Sequence, residues 1–190
     1  KILVMSRIQL ENEQQISFVK EHFSEQLSKQ LNLFKVSSPL IVLDGTGIND
    51  DLNGIERPVR FPIKSLNDKN AVVVHSLAKW KRIRLKEYGI NEEEGILTNM
   101  NALRPDEDYS PIHSIFVDQW DWEIRMNKIN RTVSYLKLKV EKIYSSILET
   151  EKLIAEKYPE IQAILPQQIT FIHAQELSDL YPEKTAKQRE

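Results

Sequence analysis

Ala102-Leu-Arg-Pro-Asp-Glu-Asp-Tyr-Ser-Pro-Ile-His-Ser-Ile-Phe-Val-Asp-Gln-Trp-Asp-Trp-Glu123 joins an arginine, a tight acidic turn and a strand that carries polar groups where a buried strand would be apolar. Before Arg104 stand Ile96, Leu97, Met100 and Leu103, and after Pro111 come Ile115, Phe116, Val117, Trp120 and Trp122. Two apolar segments around a turn rich in Pro and Asp predict a hairpin. Strand side chains alternate, so Ile115, Val117, Gln119, Asp121 and Glu123 share one face, and Phe116, Asp118, Trp120 and Trp122 the other. The first face passes from apolar to polar halfway along. An aligned amide and carboxylate suit a molecule bearing both an ammonium and a carboxylate, as a small amino acid does. Arg104 offers a planar fork for carboxylate or phosphate oxygens. On pattern alone, an edge hairpin with a wetted polar face remains open.

Upstream, Ala71 to Val74 is continuously apolar and β-branched, which predicts a central strand ending at His75 and Ser76. A helical run follows over Leu77 to Tyr88, with Ser76 as its expected N-cap and Gly89 closing it. A strand end meeting a helix N-terminus gathers free N–H groups and partial positive charge, with Lys81 one turn inside. Such a place suits a substrate carboxylate. Lys79, Arg82, Arg84 and Lys86 read as solvated surface. Val59, Phe61 and Ile63 alternate with polar residues and Pro62, an edge-strand pattern. Asp44 to Gly54 is a loop with three glycines and three aspartates, which fits no EF-hand spacing. Glu92 to Glu94 reads as an exposed acidic turn.

Toward the N-terminus, Ile16, Val19, Phe23, Leu27 and Leu31 fall at helical spacing over Glu13 to Leu31, followed by short strands at Leu33 to Val36 and Leu40 to Leu43. Past Asn127, Val133, Leu136, Val140, Ile143, Ile147 and Ile154 predict a long helix ending before Pro159. Ile169 to Ile172 is expected as a strand and Ala174 to Tyr181 as a helix. The four histidines, His22, His75, His113 and His173, share no spacing that would make a metal site or triad.

The 190 residues suffice for one domain with a core, and their 41% hydrophobic and 28% charged content is that of a globular chain. A formal charge of -2 gives no overall attraction to nucleic acid or an anionic membrane. The absence of cysteine excludes disulfides, thiolate zinc sites and a cysteine nucleophile. No apolar run reaches membrane-spanning length and the start lacks a signal-peptide core, so the expected location is cytoplasmic.

His75-Ser-Leu-Ala-Lys-Trp-Lys-Arg82, Ala102-Leu-Arg-Pro-Asp-Glu-Asp108 and Val117-Asp-Gln-Trp-Asp-Trp-Glu123 resemble segments of the bacterial ammonia-dependent asparagine synthetases, the aspartate–ammonia ligases. Gln15-Ile-Ser-Phe-Val-Lys20 and His173-Ala-Gln-Glu-Leu177 extend the resemblance to nearly the whole chain. It implies an α/β (α+β type) fold like that of class II aminoacyl-tRNA synthetases, an antiparallel sheet flanked by helices. The helix, strand and Pro39 near the start match that fold's first motif, which implies a homodimer. Family members run on beyond Glu190, so residues 1–190 resemble the N-terminal part of a single catalytic domain, incomplete at its C-terminus and expected to be inactive alone.

The resemblance implies ATP-dependent amidation of L-aspartate by ammonia through a β-aspartyl adenylate, with AMP and pyrophosphate released and ATP and Mg2+ required. It assigns Ser76, Lys81, Gln119 and Asp121 to aspartate and Arg104 to ATP and catalysis. Asp50 is the matching catalytic carboxylate of the loop, although an inserted residue leaves Asp50 and Asp51 hard to separate. The family's metal and γ-phosphate residues lie downstream, so no metal site is expected in this stretch. Two other readings stay open: an aspartyl- or asparaginyl-tRNA synthetase-like core, and a non-catalytic module that binds aspartate or a nucleotide. Nucleic acid is not expected as a partner.

Overall fold

The computed structural model describes residues 2–50, 52, 54–110 and 113–189. Asp51, Pro111 and Ile112 lie outside the described residues, so the choice between Asp50 and Asp51 is open to geometry on one side only.

Helix α1 spans Ile2–Leu31 and starts well before the expected Glu13, because no Gly or Pro interrupts the chain before Pro39. Phe23, Leu27 and Leu31 are its buried stripe, and the helix breaks at Asn32, whose φ is +55°. Strand β1, Leu33–Lys35, then enters a three-stranded sheet of order β1-β5-β6. Strands β5, Gly95–Leu103, and β6, Phe116–Ile124, form the expected hairpin, paired from Gly95 with Ile124 to Leu103 with Phe116. Twelve residues, 104–115, separate the two strands in the sequence, more than a tight turn uses, and the base of the hairpin is closed by Arg104 N–H donating to the Ile115 carbonyl at 2.8 Å.

The sheet is not wholly antiparallel: β1 runs parallel to β5, Leu33 beside Gly95 and Lys35 beside Leu97. Nearly sixty residues separate the two strands, ample for the crossover that parallel neighbours need. That crossover holds a second, antiparallel sheet made of Ile41–Leu43 (β2), Arg60–Ile63 (β3) and Lys69–Val73 (β4), in the order β2-β4-β3. β4 is central and β3 is an edge, where Pro62 costs no ladder bond. The Leu103 N–H donates to the Val74 carbonyl at 3.2 Å and stitches the two sheets together at the ends of β4 and β5.

Helix α2, Ala78–Glu87, covers one face of the hairpin, where Val74, Leu77, Trp80, Ile96, Met100 and Ala102 form a core with Val117 packed on it. On the other face α1 and the long helix α3, Val133–Lys157, cover Leu33 and Leu97, with Trp120 and Trp122 between them. The alternation expected along β6 is therefore the alternation between two cores. α2 ends in a Schellman motif: Gly89 at φ +63° lets Gly89 N–H reach Lys86 O and Ile90 N–H reach Leu85 O.

Ser76 is not the N-cap of α2. That position is Leu77, and the Ser76 hydroxyl stands 3.4 Å from the Ala78 N–H, a long contact that leaves the hydroxyl oriented by the turn. The strand expected at Ile169 to Ile172 is also absent: these residues are irregular, with Phe171 and Ile172 exposed, and no described strand lies beside them to form a ladder. Helices α4, Ala174–Leu180, and α5, Ala186–Arg189, follow, with the His173 ring capping α4. No helix among the described residues is long and apolar enough to cross a membrane.

Candidate active site

His75 is the junction on which the site is assembled. It follows β4, is fully buried, and its backbone N–H donates to Asn49 Oδ1 at 2.8 Å. Its carbonyl accepts from Arg104 Nη2 at 3.4 Å. One residue thereby ties the Asp44–Gly54 loop, the end of β4, the entry to α2 and the loop leaving β5. Both ring nitrogens are buried without a partner, as is Arg104 Nε.

Lys81 projects from the first turn of α2 onto the polar face of β6 and forms an ion pair with Asp121. The two side chains are only 4% and 13% exposed, so this pair is shielded from water in a way the surface ion pairs of this chain are not. Lys81 Nζ also lies 3.4 Å from the Trp122 carbonyl. Gln119 is two residues from Asp121 on the same face and half-buried, and Glu123, two residues the other way, takes Arg82 Nε at 3.3 Å. Asp50 sits beside α2, with Lys79 Nζ 3.7 Å from its carboxylate. Lys79 and Arg82 are exposed, as expected, and each also pairs with an acidic neighbour, Asp50 and Glu123.

Arg104 lines the wall of an open cleft of about 800 Å³ with Ile55, Arg57, Asp106 and Glu107. Arg57 clamps Asp106 across it through backbone N–H, Nε at 2.9 Å and Nη2. These hydrogen bonds hold the Asp106 carboxyl below the usual carboxylate range and so keep it ionised. The cleft is of a size that takes a nucleotide-scale ligand.

Of the six residues singled out from the sequence, Ser76 follows His75 and Arg104 bonds to its carbonyl, Lys81 pairs with Asp121, Asp50 stands beside Lys79 at the start of α2, and Gln119 shares the β6 face with Asp121. Sequence reasoning missed Asn49, the Arg57–Asp106 clamp, and Thr98, a hydroxyl buried on β5 directly opposite Asp121. Thr98 had a signal, a polar residue in the otherwise apolar start of a strand. The clamp had none, since its partners are 49 residues apart. Among the described residues no group of three or more His, Cys, Asp or Glu could hold a metal ion.

The chain matches the family described as aspartate-ammonia ligase (AsnA) over residues 10–190. It is 53% identical over 180 residues to the aspartate–ammonia ligase of Clostridium perfringens strain SM101, covering 95% of this chain and 54% of that one. It is 51% identical over 180 residues to that of Parabacteroides distasonis, covering 95% and 52%. The chain spans about half the length of the curated relatives it matches. Among solved structures, the asparaginyl-tRNA synthetase of Entamoeba histolytica superposes with a TM-score of 0.56 over 90% of this chain and 35% of that chain. At 9% identity that likeness is one of fold, the class II synthetase fold.

Proposed function

The chain belongs to the aspartate–ammonia ligase family, and on that footing we propose that its site serves the ATP-dependent amidation of L-aspartate to L-asparagine. The observation that carries the reading is the shielded Lys81–Asp121 pair beside Gln119. An ammonium and a carboxylate held side by side are the complement of the carboxylate and ammonium of an amino acid.

A carboxylate does not react with ammonia directly, because oxide would have to leave. The side-chain carboxylate of aspartate therefore attacks the α-phosphorus of ATP, the bond to the bridging oxygen breaks, and pyrophosphate departs. Ammonia then adds to the acyl carbon of the β-aspartyl adenylate, AMP leaves, and a proton is lost. Ser76, Lys81 and Gln119 hold the aspartate; Asp50 and Asp121 face its ammonium or the incoming ammonia. Arg104 bridges the α-phosphate and the attacking carboxylate, offsetting the repulsion between two anions and the charge that grows as they meet. The adjoining cleft takes the nucleotide. Magnesium is required in this reading, but the described residues offer it no cluster of ligands, and no step is assigned to it.

In this reading residues 1–190 are the N-terminal part of one catalytic domain, working in the cytoplasm as a homodimer. The test supplies the full-length gene product with ATP, magnesium, L-aspartate and ammonium and identifies products by mass spectrometry. Asparagine and AMP together are expected. Pyrophosphate exchange without asparagine would favour a tRNA synthetase-like core, and no aspartate-dependent turnover a binding module.

A further inference from the structure

Thr98 stands in the middle of β5 and is 2% exposed, and its hydroxyl has no hydrogen-bond partner. The register sets it directly across from Asp121, so both side chains lie on the face covered by α2. Directly opposed residues have Cβ atoms about 5 Å apart, within reach of a hydroxyl-to-carboxylate bond after a small turn of either group. An orphaned buried hydroxyl is unfavourable, and valine would fill the same volume without one. A hydroxyl here therefore has no packing reason.

Its neighbourhood supplies a different one. Lys81 is the cation bonded to Asp121, and Arg82, the next cation on α2, is taken by Glu123. On the loop side Lys79 is taken by Asp50. Apart from Thr98, β5 sets only Ile96, Met100 and Ala102 on this face. When a substrate carboxylate draws on the Lys81 ammonium, two anions share one cation, and a second donor is what holds the Asp121 carboxylate in place.

We propose that Thr98 is a positioning residue whose hydroxyl turns onto the Asp121 carboxylate as substrate engages Lys81. The inference rests on the aspartate reading above. Thr98 touches no reacting atom; it acts through Asp121, and the arrangement passes a hydrogen bond from ammonium to hydroxyl without leaving a buried carboxylate bare.

The test compares the full-length wild-type protein with Thr98→Val and Thr98→Ser. Aspartate KM and kcat are measured, together with the thermal midpoint. Thr98→Val should melt no lower than wild type, yet raise the aspartate KM about tenfold, the loss expected for one hydrogen bond to a charged group. kcat should change far less, and Thr98→Ser should restore wild-type behaviour. A Thr98→Val aspartate KM equal to that of wild type would overturn the proposal. So would a uniform loss of kcat and midpoint that serine does not rescue, the mark of a packing role. A wild-type protein that binds no aspartate by calorimetry would sink the aspartate reading itself, and this inference with it.

Discussion

Lys81 is a charged side chain with almost no exposure, and Asp121 is what makes that tolerable. Removing one partner of a shielded pair strands the other, which costs far more than the pair contributes. Lys81→Met should therefore destabilise the full-length protein by about 3–5 kcal/mol in urea unfolding, whereas the same change at Lys79, half-exposed beside Asp50, should cost under about 1 kcal/mol. Equal losses would contradict the assigned burial. Arg104 carries a different argument, geometric rather than electrostatic, because lysine keeps the charge and loses the fork. Arg104→Lys should slow aspartate-dependent pyrophosphate exchange at least about tenfold, since a well-placed donor to developing charge contributes ~3 kcal/mol; an unchanged rate would remove Arg104 from the α-phosphate. Arg104 and Gln119 were picked out because polar residues stand out in an otherwise apolar alternating pattern, whereas Lys81 entered through the resemblance, and its burial against Asp121 shows only in the structure. His75 was visible as a residue but not as a junction, since its work is done by its backbone N–H and carbonyl, which every residue carries.

At the scale of elements, two glycines that look alike in the sequence differ in what they meet. A Cβ on Gly89 would have nothing within 4 Å and suffers only the positive φ, whereas one on Gly95 would lie 2.3 Å from the Glu123 carbonyl oxygen and 2.8 Å from Leu33 Cδ2. That oxygen belongs to β6, so it cannot yield without loosening the pairing that places Asp121. Gly89→Ala should cost about 1–2 kcal/mol, and Gly95→Ala more than about 3 kcal/mol with a lower aspartate affinity; the reverse order would refute the tight approach. The turn that precedes β5 was read as exposed and acidic, yet Glu93 accepts from Lys139 at 2.9 Å, Tyr135 at 3.0 Å and Asn130 at 3.1 Å, pinning the hairpin to α3. The hydrogen bond from Lys139, against some burial, leaves the Glu93 carboxyl below its ordinary value. A lowered carboxyl stabilises the fold above its unfolded-state pKa and ceases to do so as pH falls through its folded value. Wild type should accordingly exceed Glu93→Gln in stability at pH 7 by more than at pH 3, read by urea midpoints; a gap independent of pH would exclude the ionised form. These long-range partners lie about forty residues from Glu93, beyond any periodicity.

Over the whole molecule, the binary pattern carried the two cores, because alternation along β6 and helical spacing in α1 and α3 each report burial directly. It did not carry the parallel pairing of β1 with β5, since a three-residue apolar strand reads the same in either direction. That pairing has a consequence for assembly. β1 closes one sheet as an edge and β2 closes the other, and around them Phe34 is 53%, Leu40 52% and Ile41 41% exposed. An edge strand bearing large apolar side chains invites pairing with another chain unless something covers it. A second copy related by a two-fold axis would cover each edge with its equivalent, in keeping with the homodimer proposed above. Sedimentation of the full-length protein should give a dimer at micromolar concentration. Phe34→Asp with Ile41→Lys should shift it to monomer while far-ultraviolet dichroism stays unchanged, since neither side chain belongs to a core. A monomeric wild type, or a dimer indifferent to both substitutions, would place the contact elsewhere.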